Sequence, residues 1–188
     1  MKSLIALFTV SMLMLAAGQP AFAKSSPEER RAEIRQTTQT ILQDLYKAQP
    51  SARKAVESSA GYAVFSNFGM KILFVGGGSG SGVAVNNQTK KEVFMKMVEV
   101  QAGLGLGAKK FRLVFVFSDT KTLNDFINSG WVAGAQATAA ATTGDQGVAY
   151  QGAASVSPGV WLYQLTDKGL AAEVTVKGTK YYKDDELN

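Results

Sequence analysis

Two hydrophobic periods divide the chain. Ser26-Pro27-Glu28-Glu29 sets a serine N-cap, a proline at the first helical position and a glutamate three residues past the cap, which together predict a helix start. The helix runs to about Lys47, and Ile34, Ile41, Leu42 and Leu45 form one apolar stripe along it, with Arg30, Arg31 and Arg35 near its beginning. Pro50 interrupts it, and Ser51 to Ser58 can form a second short helix before Gly61. Beyond that glycine the period falls to two. Tyr62 to Phe65, Ile72 to Val75, Gly82 to Asn86 and Val93 to Val100 read as strands, with a turn at Asn86-Asn87-Gln88-Thr89. In Leu104 to Ser118, Phe111, Leu113, Phe115 and Phe117 share one face and Lys110, Arg112, Val114 and Val116 the other, so its far end is predicted to be buried on both faces. Asp119 caps a short helix that Gly130 stops. From Trp131 to about Ser157 small residues dominate, suiting tight strands or an ordered loop, and Val160 to Leu165 with Leu170 to Lys177 predict a hairpin in which Gly169 has positive φ.

The run Gly76-Gly-Gly-Ser-Gly-Ser-Gly82 has five glycines in seven residues, which argues for strands whose backbones approach something closely. A phosphate loop is excluded because Val83 follows Gly82 and no lysine comes before Lys90. The dinucleotide pattern fails too, since its last position falls on Ser81 or Val83. Packing against neighbouring strands remains. The predicted class is α+β: an N-terminal helical arm, then a mostly antiparallel, glycine-rich sheet curling toward a barrel or sandwich, with one inserted helix.

Composition narrows the function. Residues 1–23 combine Lys2, an apolar run from Leu4 to Ala17 and Ala21-Phe22-Ala23, the parts of a secretory signal peptide. The expected division is therefore a leader at 1–23, a helical segment at 24–58 and a β-rich domain at 59–188, with the product periplasmic or secreted and peripheral to a membrane at most. Losing Lys2 from 20 basic and 15 acidic residues lowers the net charge from +5 to +4. That excess favours an anionic surface but is too small and too scattered for nucleic acid. With no cysteine and no histidine, neither a disulfide framework nor the usual zinc ligands or general base exist. No catalytic residue, metal site or cofactor is expected. An outer-membrane barrel fits poorly with the helices and with Glu99, Arg112 and Glu173 in the strands. Asp184-Asp185-Glu186 reads as a solvated tail, and Lys109, Lys110 and Arg112 as a solvated strand end whose adjacent lysines point to opposite sides.

Five motifs occur in an order that resembles the SYLF domain family: Gly61-Tyr-Ala-Val-Phe65, the Gly76 to Val85 run, Gly103-x-Gly105-x-Gly107 leading into Phe111 to Phe117, Lys168-Gly-Leu-Ala-Ala172, and Tyr181-Tyr182 with Asp184-Asp185-Glu186. The likeness covers about Arg53 to Asn188. It implies a lipid-binding module, since eukaryotic members bind phosphoinositides through an N-terminal amphipathic segment and basic surface, and some yeast members bind and bundle actin. On that basis Arg30, Arg31, Arg35, Lys47, Arg53 and Lys54 are expected to meet lipid phosphates, while Ile34, Ile41 and Leu45 enter the acyl boundary. A signal peptide and the lack of an accompanying SH3 or FYVE module set this chain apart, and an exported protein would not meet actin in its own compartment. The expected function is non-catalytic binding of anionic phospholipid at an envelope membrane. The alternatives are an envelope protein-interaction module without lipid contact, and an enzyme or small-ligand carrier with a pocket in the sheet. What separates them is whether the Ile34, Ile41 and Leu45 stripe is enclosed.

Overall fold

A computed structural model describes residues 25–72, 75–102, 107–129, 132–133, 150–171 and 178–188, of which 68–72, 75–76, 100–102, 107–109 and 132–133 are described by their backbone alone. The predicted leader lies outside the described residues. Helix α1 spans Pro27–Ala48 and opens on the expected capping box, with Ser26 N donating to Glu29 Oε2 at 2.7 Å and Glu29 N donating to Ser26 Oγ at 3.2 Å. These bonds hold the Glu29 carboxyl below its ordinary value. Helix α2 is Ser51–Ser58 and α3 is Thr120–Asn128, the latter capped by Asp119, whose Oδ1 accepts from Thr122 N at 2.8 Å.

The strands are β1 Gly61–Ile72, β2 Val75–Asn86, β3 Glu92–Ala102, β4 Gly107–Phe117, β5 Val132–Ala133, β6 Ala154–Ser157, β7 Val160–Thr166, β8 Gly169–Leu170 and β9 Thr179–Lys183. They form one sheet in the order β5-β9-β3-β2-β1-β4-β7-β6, with β8 beside β7, and every ladder is antiparallel. Of the strand expected over 72–75, Ile72 instead ends β1 and Val75 opens β2, the two being paired with each other, while residues 73–74 lie outside the described residues. Gly169 has φ of 104°, as its turn requires.

The sheet is bent into a half-barrel. Three strands separate β9 from β4, which in a flat sheet would place them about 19 Å apart at the usual strand spacing. Yet the rings of Tyr181 on β9 and Phe115 on β4 have centroids 5.1 Å apart. Register explains how. On the concave face Phe65 lies opposite Gly82, and Asn67 opposite Gly80, so β2 contributes almost no side chains there and its flanks close inward. A Cβ on Gly82 would sit 2.2 Å from the Val64 carbonyl oxygen, and one on Gly80 would sit 2.4 Å from that of Ser66. The glycine run is thus a packing device. Phe65, Phe115, Phe117 and Tyr181 fill the concavity, and α3 plugs it with Leu123 and Phe126.

Helices α1 and α2 cover part of the convex face. Ile41 and Leu45 pack with Val64, Val114, Val116 and Tyr163, while Ile34 packs with Val83, Phe94 and Leu187. The predicted arm is therefore a docked layer. The C-terminal turn is docked as well, correcting the solvated-tail expectation: Asp184 is buried against Lys96 at 2.9 Å, and the Asn188 side-chain amide exchanges bonds of 3.0 and 2.8 Å with Phe94 N and O. Leu187 supplies the apolar contact that a charged tail lacks. Arg112 also departs from the solvated-end expectation, reaching Asp44 on α1 and the Thr166 carbonyl, each at 2.7 Å. Lys110 does remain exposed.

Candidate functional site

The stripe proposed to enter lipid is enclosed. Ile34, Ile41 and Leu45 are 8, 2 and 0% exposed, so in this conformation they bind α1 to the sheet and cannot at the same time reach acyl chains. Sequence periodicity identifies such a stripe but carries no information about which surface covers it.

The cations near the start of α1 are engaged with acceptors from other elements. Arg30 pairs with Glu186 at 2.9 Å, and Arg35 with Glu92 at 2.8 Å while its guanidinium lies 5.2 Å from the Phe94 ring centroid. Arg31 bonds the Leu187 carbonyl at 2.8 Å and pairs with Glu28. Together they clamp the helix to β3 and the C-terminal turn. The corner between α1 and α2 differs. Lys47, Arg53 and Lys54 are exposed there, and no ion pair engages either lysine among the described residues. Arg53 pairs loosely with Glu57 at 3.4 Å and stacks 4.4 Å from the Tyr46 ring centroid. Burial, reinforced by the nearby Glu57 charge, pushes the Tyr46 phenol up to about 12. The six cations thus separate into three that fasten α1 and three that face solvent.

A groove of about 620 Å³ opens between the first half of α1 and the convex face. Its floor follows from strand register: one row runs Ser66, Ser81, Lys96, Tyr182 across four strands, and Ser79 lies opposite Val98 in the next row. Because β2 alternates glycine inward with serine outward, Ser79 and Ser81 stand on this face. Within the described residues no hydrogen bond engages the Ser66, Ser79 or Ser81 hydroxyl. Arg30, Glu33 and Thr37 form the α1 wall, and Lys110 borders the opposite side. Arg30 Nε is buried without an acceptor. The Asp184 carboxylate, hydrogen-bonded to Lys96, holds that ammonium above its ordinary value. None of these hydroxyls was singled out from sequence as a site residue; the signal for them is the Gly-Ser alternation of β2, legible only once the inward face is known.

No described helix is long and apolar enough to cross a membrane. A half-barrel backed by helices, with a solvent-facing polar groove and an exposed cationic corner, has the architecture of a binding domain. Comparison with known proteins agrees: residues 98–188 match the Ysc84 family model, described as Las17-binding protein actin regulator. Residues 98–188 carry a domain of this family, the SYLF domain family, which is one of binding domains. The chain is also 31% identical over 162 residues to Beta cell expansion factor A of Aeromonas veronii, an alignment covering 85% of this chain and 59% of that protein's length.

Proposed function

We propose that this is an exported, periplasmic or secreted module that binds anionic phospholipid at a membrane surface without catalysis. The observation that carries the reading is the α1–α2 corner, where Lys47, Arg53 and Lys54 are exposed on a rigid, docked scaffold. Each such cation contributes about 1 kcal/mol near an anionic surface, so the three together strengthen binding roughly a hundredfold. Arg30, Arg31 and Arg35 join them only by exchanging Glu186, Glu28 and Glu92 for lipid phosphates, and Ile34, Ile41 and Leu45 only if α1 leaves the sheet. Contact in the docked state is therefore electrostatic and weakens with salt.

Vesicle co-sedimentation tests this. Binding should rise with the anionic fraction and fall when Lys47, Arg53 and Lys54 are replaced by alanine. Binding indifferent to both charge and these substitutions would refute it. The enclosed stripe also favours a second reading, an envelope protein-interaction module without lipid contact, which predicts capture of a protein partner by a molecule that ignores vesicles. Actin is not proposed as a partner, because an exported chain does not share its compartment.

A further inference from the structure

We propose that the turn at residues 184–188 is an autoinhibitory latch: it keeps the first half of α1 closed on the sheet and occupies two arginines that would otherwise face an anionic surface. The helix is attached at two separate places. Ile41 and Leu45 belong to the cluster that holds Val64, Val114 and Tyr163, whereas Ile34 belongs to a smaller one made with Val83, Val85, Phe94 and Leu187. Between the two attachments α1 stands over the groove, which is lined by Thr37 and Thr38 as well as by Ile34 and Ile41. A helix held by a large core at one end and a small one at the other opens first at the small one.

The small attachment depends on the turn. Leu187, 2% exposed, closes the cluster around Ile34. The turn itself is built on β3: Asp184 N and Asn188 Nδ2 both donate to the Phe94 carbonyl, at 3.0 and 2.8 Å, and the Asp184 carboxylate pairs with Lys96 at 2.9 Å. A second bond, from Leu187 N to the Asp184 carbonyl at 3.0 Å, fixes its internal shape. Toward α1 it therefore presents two positioned acceptors, the Glu186 carboxylate for Arg30 and the Leu187 carbonyl for Arg31. The ion pair between Arg30 and Glu186 is partly solvated and weak by itself, so the seating of Leu187 against Ile34 is what keeps both acceptors in place. Closure also leaves Arg30 Nε buried without an acceptor, a donor that an outside oxygen would satisfy once the helix start lifts. Because Ile41 and Leu45 have their own core, this opening does not require their release.

Amide hydrogen exchange on the full chain tests the latch without reference to lipid. Residues 31–37 should be less protected than residues 41–47 and should respond little to low urea, the mark of a local opening. Leu187→Ala should speed exchange at 31–37 by at least about tenfold. Glu186→Gln, a surface change that spares the fold if Leu187→Ala does not, should give a smaller acceleration of about twofold at the same residues. Equal protection and equal urea dependence of 31–37 and 41–47 in the parent overturns the latch, as does exchange at 31–37 left unchanged in each variant that folds. The inhibitory role rests on the lipid reading above and is read with vesicles of phosphatidylglycerol in phosphatidylcholine. The released variant should bind them about tenfold more tightly than the parent, and adding Arg30→Ala and Arg31→Ala should cancel that gain. A parent that binds and a released variant that binds no better overturns the inhibition. Binding by neither, with the exchange pattern as expected, refutes the membrane reading and leaves the latch standing.

Discussion

Replacing Leu45 or Ile41 with alanine separates a helix that holds the fold together from one that enters lipid. Both side chains are enclosed between α1 and the sheet, at 0 and 2% exposure. Removing either buried side chain costs about 2–5 kcal/mol in lost transfer energy and residual cavity. Complete release of α1 would cost more. Ile34, Ile41 and Leu45 together account for roughly 5–9 kcal/mol of apolar burial at about 1.5–3 kcal/mol each, an upper figure because unfolded chains already bury some surface. That compares with about 5–15 kcal/mol for the stability of a whole domain. A bilayer could restore the helix's share, but Val64, Val83 and Val114, each 1% exposed or less, would be left facing water. Urea unfolding should therefore show the midpoint of Leu45→Ala lowered by roughly 1–2.5 M, taking about 2 kcal/mol/M for the slope. Co-sedimentation below that midpoint should be unchanged per folded molecule. A variant that keeps the parent's midpoint yet loses vesicle binding would refute the docked-helix argument and restore the stripe to the membrane.

Two further outcomes follow from the sheet. Gly82→Ala should destabilise the domain by about 3 kcal/mol or more, since its Cβ would lie 2.2 Å from the Val64 carbonyl oxygen and 2.5 Å from Phe65 Cδ1, neither of which is a flexible side-chain end; a melting temperature equal to the parent's would refute the close approach. Stability should also fall as pH rises above about 10. Burial first, and the Glu99 charge second, push the Tyr181 phenol up, and burial takes Tyr163 to about 12, so the unfolded chain releases these protons before the native state does. Lys96 has the same sign: its raised folded value contributes stability that is complete below the unfolded value and disappears as pH rises through the folded one. Alkaline unfolding followed by phenolate absorbance checks this, and a midpoint independent of pH in that range would contradict it.

The start of α1 was legible because capping is local: Ser26, Pro27 and Glu29 settle it within one turn. Strand β4 was legible for a similar reason, since its alternating Phe111 to Phe117 series declares two faces by itself. The division between β1 and β2 was not, because an apolar run followed by glycines looks the same whether Ile72 and Val75 share one strand or belong to two. Charge gave still less. Arg30, Arg31 and Arg35 look like a lipid-facing cluster along the chain, yet two of their acidic partners come from Glu92 and Glu186, far away in sequence.

By itself, then, the amino-acid order determined the helix and strand periods, the α+β class, the family motifs and the absence of histidine and cysteine chemistry, because each depends on neighbours a few residues apart or on composition. Only the tertiary structure decided what covers the apolar stripe, which cations are held by acids and that the serines of β2 line a groove. Those facts depend on strand register and on the curl of the sheet, which bring together residues that local spacing cannot relate.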